Sequence, residues 1–463
     1  MFDAATYASR RETLQQKISS GVALFPGNNE SPMNYTANPY HYRQDSTFLY
    51  YFGLAMPGLA AVLDLDSGQA VLFGDDVEME DIIWMGPQPT MAERARQVGV
   101  AEIRPSAELA AYIRQCLTTG RPVHFLPPYR AETALTLGRL LGIQPDHLKT
   151  YASVPLIQAV VAQRAVKTAE EIEQIEQALA VAYDMHTTAM RMAKPGVYER
   201  EIAGQAEGIA LAGGGTVSFP IICTINGQTL HNHYHGNELR EGRLLIMDAG
   251  AETEMGYAAD ITRTTPVGGK FNARQKEIYE IVLKAINTSI EAIKPGIKYR
   301  QVHLHAARIV AEGLKSVGLM MGDPAEAVAQ GAHALFFPHG LGHMMGLDVH
   351  DMENLGENYV GYDADTTRSD QFGLAYLRLG RELEPGFVLT VEPGIYFIPA
   401  LIDQWRKEGK CTQFIDYDKV ETYKDFGGIR IEDDVLVTNT GQRVLGKPIP
   451  KSVADVEAMA ASG

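Results

Sequence analysis

The sequence predicts a two-domain α+β protein whose larger, C-terminal part is a duplicated unit with a pseudo-two-fold. Three observations carry that expectation. The chain has 463 residues, too many for one ordinary domain of roughly 100–200 residues. Two long helical segments run into the same tripeptide, Lys194-Pro195-Gly196 and Lys294-Pro295-Gly296. Each is followed by an apolar strand that closes on an acid: segment 239–250 with Asp248 lies over segment 383–394 with Glu392. The turn glycines Gly242 and Gly386 each precede their acid by six residues. Matches repeated in one order indicate an internal repeat.

The elements follow in chain order. Segment 1–18 mixes charges into a helical pattern and lacks a leader's apolar run, so it is expected to be a helix of the fold. Segment 51–76 is expected to form two strands around the turn Asp66-Ser67-Gly68. Segments 91–100 and 106–117 read as amphipathic helices. Segment 151–168 has no turn cluster and carries the chain into a second domain, giving domains 1–158 and 159–463. A long helix then opens at Thr168, with Glu171 at the capping-box spacing, and stops at Pro195. A second opens near Asn272 and stops at Pro295, because proline cannot continue the hydrogen-bond ladder. Each half adds a further acidic strand, 258–267 with Asp260 and 428–437 with Glu432.

Composition narrows the function. Hydrophobic residues are 45% and charged residues 21%, which is ordinary for a globular chain. A formal charge of −16 argues against nucleic acid or an anionic membrane as partner, since both need local positive charge. No run approaches 18 apolar residues, so no membrane span is expected. Cys116, Cys223 and Cys411 are too far apart for a disulfide framework, and a cytoplasmic location is expected.

The chemistry concentrates in acids and histidines. Asp248, Glu392 and Glu432 sit in apolar strands, where a lone carboxylate is costly to ionise unless something positive compensates. A hairpin turning near 253–256 would bring Asp248 close to Asp260. Six of the 13 histidines fall in two short stretches, His231, His233 and His235, and then His339, His343 and His350. Carboxylates with imidazole and no thiolate suit ions such as Mn²⁺, and four acids with one histidine suffice for two of them. Other signals are weaker. Gly213-Gly214-Gly215 lacks a phosphate-loop pattern and reads as a turn. Met344-Met345 reads as core packing, and 405–410 as a solvated loop.

With MDAG at Asp248, ADITRT at Asp260, HGLGH at His343, TVEPG at Glu392 and RIEDD at Glu432, residues 160–450 resemble the pita-bread metallopeptidases that cut bonds before proline. These are the prolidases (Xaa-Pro dipeptidases) and the Xaa-Pro aminopeptidases. Segment 42–53 resembles the smaller creatinase-like N-terminal α/β domain of the same family. The spacing from Asp248 to Asp260 is one residue longer than the family pattern, read as a longer hairpin turn. The resemblance implies that Asp248, Asp260, His343, Glu392 and Glu432 hold two divalent metals, Mn²⁺ first with Co²⁺ or Zn²⁺ as alternatives, and a bridging hydroxide. It implies that Glu392 handles the proton of that water. It implies that His231 stabilises the tetrahedral intermediate or the leaving amine, with His233 as rival. His339 and His350 match histidines that contact substrate or support the ligands, and Arg430 would support the metal carboxylates or face the substrate. Arg378 matches the prolidase arginine that grips a dipeptide's free carboxylate, which favours a dipeptidase, with the aminopeptidase as alternative. A homodimer is implied by the resemblance. A pita-bread protein that only binds, or a metal-free creatinase-like hydrolase, fits poorly with five filled ligand positions.

Overall fold

The computed structural model describes residues 1–463, which divide into two compact units. One comprises Met1–Arg164 and Met352–Tyr359; the other comprises Ala165–Asp351 and Val360–Gly463. The first unit runs past residue 158 because the helix Val154–Arg164 is tied into it at its end. Gln163 accepts from the Tyr51 hydroxyl at 2.8 Å and Arg164 donates to the Thr47 hydroxyl at 2.9 Å.

The first unit is a five-stranded mixed sheet with helices. Its strands lie in the order Glu102–Arg104, Ala70–Phe73, Ala60–Asp64, Val22–Pro26, Val123–His124. The expected hairpin forms between Ala60–Asp64 and Ala70–Phe73. Asp64 Oδ1 accepts the amides of Asp66 and Ser67 at 3.0 and 3.1 Å, the side-chain turn that acidic residues favour. Tyr51 and Phe52 belong instead to the helix Ser46–Phe52, which Asp45 caps and Gly53 ends at φ 63°. That helix is buried on all sides, so tertiary packing overrides the strand preference of its aromatics.

The second unit repeats. The helix Ala169–Met192 is capped by Thr168 with Glu171 returning to the Thr168 amide, and Ala273–Ala292 is capped by the pair Asn272 and Gln275. Gly196 at φ 91° and Gly296 at φ 83° turn the chain into the helices Glu199–Ala212 and Tyr299–Ser316. The two turns are held alike. The Gly196 amide donates to Leu239 O and the Gly296 amide to Leu383 O, both at 2.9 Å. Leu239 and Leu383 return the bond to Val197 O and Ile297 O at 2.8 and 2.9 Å.

Each half then pairs strands antiparallel. In the first, Leu244–Ala249 lies between Ile222–Thr224 and Ile261–Pro266. Leu245, Met247 and Ala249 enter a core with Met185, Ile202 and Ala206 of the helices. The strand's period of two therefore turns Ile246 and Asp248 to the opposite face. In the second, Val388–Val391 pairs with Asp433–Val437, and Gly394–Tyr396 pairs with Gly428–Arg430. The expected single strand 428–437 is thus two strands with Ile431 and Glu432 between them. The halves meet where Thr264 Oγ1 donates to Arg430 O at 2.9 Å and the Glu432 amide donates to Thr262 O at 3.0 Å. Segment 405–410 corrects its expectation. Its first residues end the helix Pro399–Glu408, Trp405 is buried, and the Lys410 ammonium sits 3.9 Å over the indole. Met344 and Met345 are core residues, as expected.

Candidate metal centre

The hairpin places the first two acids. Thr262 stands opposite Asp248, and Asp260, two residues earlier, leaves the same face. Gly256 closes the turn at φ 85°, where its amide donates to Thr253 O at 2.8 Å. The longer spacing therefore leaves both acids on one cavity wall. Glu392 and Glu432 come from the second half. Val391 pairs with Asp433 and Gly394 with Arg430, so the register continues across the break and sets Glu392 against Glu432. His343 comes from the loop before Met344. The Thr390 amide donates to His343 O at 3.0 Å, and the His343 amide to Thr390 Oγ1 at 3.2 Å. A side chain at Gly342 would place its Cβ 2.0 Å from Thr390 O, so only glycine fits that approach.

Asp260, His343 and Glu432, all buried, offer ligand atoms within 4.8 Å of one another. His343 Nδ1 lies 3.0 Å from Met344 O, which makes Nδ1 the protonated nitrogen and leaves the Nε2 lone pair facing inward. That lone pair stands 3.3 Å from Asp260 Oδ2 and 3.9 Å from Glu392 Oε1. Burial, and then the neighbouring carboxylates, push Asp260 and Glu432 well above the usual range, and burial pushes Glu392 up to about 6. One oxygen each of Asp248 and Asp260 is buried without a hydrogen-bond partner. Oxygen donors, an inward imidazole lone pair and uncompensated buried negative charge fit a divalent cation. Asp248 stands apart from the tight group because Arg430 Nη2 holds its Oδ2 at 2.7 Å.

Each guanidinium nitrogen of Arg430 makes one bond to protein. Besides Asp248, it donates to Tyr396 Oη at 2.8 Å and to Thr262 Oγ1 at 3.1 Å. This makes it a support for Asp248, while Nη1 and Nη2 each keep a second N–H and Arg430 also lines the cavity. His339 is likewise engaged: Nδ1 lies 2.8 Å from Gly340 O and Nε2 2.9 Å from Tyr396 Oη. Burial, and then Arg430, hold its imidazolium pKa down to about 3. The neutral ring therefore donates from Nδ1 and accepts the Tyr396 hydroxyl proton. The His350 ring lies 4.0 Å from that of His343, centroid to centroid.

A cavity of about 590 Å³ opens onto this cluster, and His231, His233, His350 and Arg378 also line it. Burial, and then Arg430, depress the His231 imidazolium. Tyr396, Thr262, Thr390 and Asp434 were not singled out from the sequence. Asp434 accepts the Asp260 amide at 3.0 Å. Their available signal was polarity inside the strands around 262, 390, 396 and 434, every residue of which is buried.

Comparison with known proteins agrees with this geometry. The model of metallopeptidase family M24 matches residues 173–439. The chain belongs to metallopeptidase family M24. The N-terminal domain model of aminopeptidase P matches residues 7–124. The chain is 31% identical over 470 residues to the Xaa-Pro dipeptidase of Rattus norvegicus, covering 98% of this chain and 93% of that protein. It is 33% identical over 436 residues to the "Probable Xaa-Pro aminopeptidase pepP" of Aspergillus fumigatus, covering 92% and 89%. Among solved structures, Escherichia coli aminopeptidase P with the inhibitor Pro-Leu superposes with a TM-score of 0.81 at 30% identity, covering 100% of this chain and 99% of that one. The M24 architecture, a pita-bread domain after a smaller N-terminal domain, is the one the sequence led us to expect. No helix is long and apolar enough to cross a membrane.

Proposed function

We propose that the protein is a metal-dependent Xaa-Pro peptidase that favours dipeptides. The observation that carries this reading is one cavity lined by the Asp260–His343–Glu432 group, by His231 and by Arg378. Asp248, Asp260, His343, Glu392 and Glu432 would hold two divalent ions, Mn²⁺ first. When bound, such ions supply Lewis acidity and lower the pKa of water toward neutrality. The chain's own residues do the rest. Arg378 pairs with the free carboxylate of the substrate. Glu392 accepts the proton of the attacking water. His231 stabilises the developing oxyanion or donates to the departing proline nitrogen. His350 packs on His343 beside the substrate, and the chain Arg430–Tyr396–His339 fixes Asp248.

The Xaa-Pro aminopeptidase reading has its own support. The cavity, about 590 Å³, is within the range that holds drug-sized ligands and has room for a third residue, and relatives of both names occur. Hydrolysis of Ala-Pro and Ala-Pro-Ala by the Mn²⁺-loaded enzyme tests the choice: a strong preference for Ala-Pro supports the dipeptidase. We assign catalysis to the second unit, Ala165–Asp351 with Val360–Gly463, and place the creatinase-like N-terminal domain outside the reacting centre. A cytoplasmic homodimer is proposed with it, supported by three free cysteines and by the family resemblance.

A further inference from the structure

We propose that Glu199 is a positioning residue for the loop histidines, acting on catalysis without touching substrate. It rests on the reading of that loop as catalytic. Glu199 is the first residue of the helix Glu199–Ala212 and is wholly buried. Its carboxylate spans the two ends of the loop that carries His231 and His233. Oε1 accepts the Ile225 amide at 2.8 Å. Oε2 accepts the Asn237 amide at 3.2 Å and the Asn237 side-chain Nδ2 at 2.9 Å. The Glu199 amide donates back to Asn237 O at 3.0 Å. One carboxylate thus joins both ends of the excursion, and hydrogen bonds to a charged acceptor are the strong kind.

The clasp works with other ties: the Arg200 amide donates to His235 O at 3.0 Å, and Arg243 Nη2 donates to Ile225 O at 2.8 Å. Asn232 Nδ2 donates to Thr224 Oγ1 at 3.0 Å, and His235 Nε2 meets Ile221 O at 3.0 Å. These tie the tip and the far side back to the start of the loop, and the Glu199 carboxylate adds bonds to the amides at both ends. The repeat supplies an independent observation. Tyr299 is the first residue of the matching helix Tyr299–Ser316 and is also wholly buried. Its hydroxyl donates to Thr390 O at 2.6 Å and lies 3.4 Å from Leu341 O, under the loop that carries His339 and His343. In both halves the same helix position reaches beneath a histidine loop of the site. The first half does so with a charge, the second with a phenol.

The experiment is a double-mutant cycle on Mn²⁺-loaded full-length protein with Ala-Pro as substrate. Glu199→Gln keeps an oxygen for one end of the loop and turns an NH₂ group toward the other. It should lower kcat about ten- to hundredfold with KM little changed, the scale expected of a small misplacement. In a His231→Ala background the same substitution should cost less than threefold, because the group it positions is gone. If His233→Ala proves to carry the loss instead, coupling to His233 is the expected result. An undiminished Glu199→Gln loss on top of whichever histidine variant is impaired overturns the proposal, and so does a Glu199→Gln enzyme with unchanged kcat. Two fully active histidine single variants would end the catalytic reading of the loop, separately from the cycle. Should Glu199→Gln not fold, Asn237→Ala removes one bond to the same clasp; it should show the same coupling with a smaller loss, and additivity there overturns the proposal equally.

Discussion

Glu392 faces Glu432 across a ladder that keeps one register on both sides of them and pairs at neither. Val391 with Asp433 precedes the gap, and Gly394 with Arg430 follows it. The break turns two strand-end carboxylates toward Asp260 and His343 instead of into the ladder. The apo site is then an electrostatic liability: buried like charges that a cation relieves. Neutralising one of them should have opposite effects with and without metal. In chelator-treated protein, Glu432→Gln should raise Tm. In the parent, free Mn²⁺ about a hundredfold above its Kd should add about 2.7 kcal/mol of stability, and Glu432→Gln should lose most of that gain along with activity. Calorimetry with EDTA and then Mn²⁺ measures both; a Glu432→Gln protein that melts lower in EDTA would argue against the carboxylate cluster as the source of strain.

The histidine loop gives a ranking. His231 lines the cavity together with Arg430, Asp248, His350 and Arg378. Replacing it by alanine should lower kcat by roughly 10²–10⁴-fold, the usual contribution of a positioned proton-transfer group. His233→Ala should cost less. Steady-state kinetics on Ala-Pro at saturating Mn²⁺ decides, and the reverse order moves the role to His233.

Much of this site was legible because its signals are local. The four acids and one histidine proposed as ligands sit in short motifs, and the cap Thr168 announces its helix with Glu171 three residues on. What escaped depends on partners distant in sequence. Tyr396 matters because Arg430 and His339 meet on its hydroxyl, which no spacing encodes. Trp405 reads as the start of a polar loop until the insert folds and buries it. The gap at Ile431 and Glu432 looks like continuous strand, since Ile429 and Ile431, then Val435 and Val437, alternate with the period of a strand. Glu199 resembles any acid at a helix start, a position such residues favour for the dipole alone. Only the loop it closes distinguishes it.

Part of the acid sensitivity should trace to a histidine away from the cavity, His333, one of several whose burial disfavours the imidazolium. His333 is wholly buried, neither ring nitrogen has a partner, and burial holds its pKa down to about 4 from 6.5. The unfolded chain binds this proton below about pH 6.5 while the folded chain refuses it until about pH 4. Stability therefore falls as pH drops through that window, by about 1.4 kcal/mol per unit at full slope and about 3 kcal/mol in all. His333→Leu removes the titration with an apolar group of similar size. Urea unfolding between pH 7 and 5 should show the variant losing less stability than the parent; parallel curves would place the sensitivity elsewhere.

Arg378 separates the two substrate readings. A guanidinium holds a carboxylate through two parallel hydrogen bonds, and such charge-assisted contacts contribute about 1.5–3 kcal/mol. That free energy is available only when the residue after the scissile bond is the last one. A third residue presents a neutral amide at the same place and leaves the cation without its charge partner. Ala-Pro should therefore exceed Ala-Pro-Ala in kcat/KM by about one to two powers of ten. Arg378→Ala should narrow the gap by slowing the dipeptide about ten- to a hundredfold while the tripeptide changes little. Loss of both substrates alike would mean that Arg378 serves the cavity wall rather than the carboxylate. Equal cleavage of both by the parent enzyme would favour the aminopeptidase, because a site that gains nothing from a terminal carboxylate has no reason to stop at two residues.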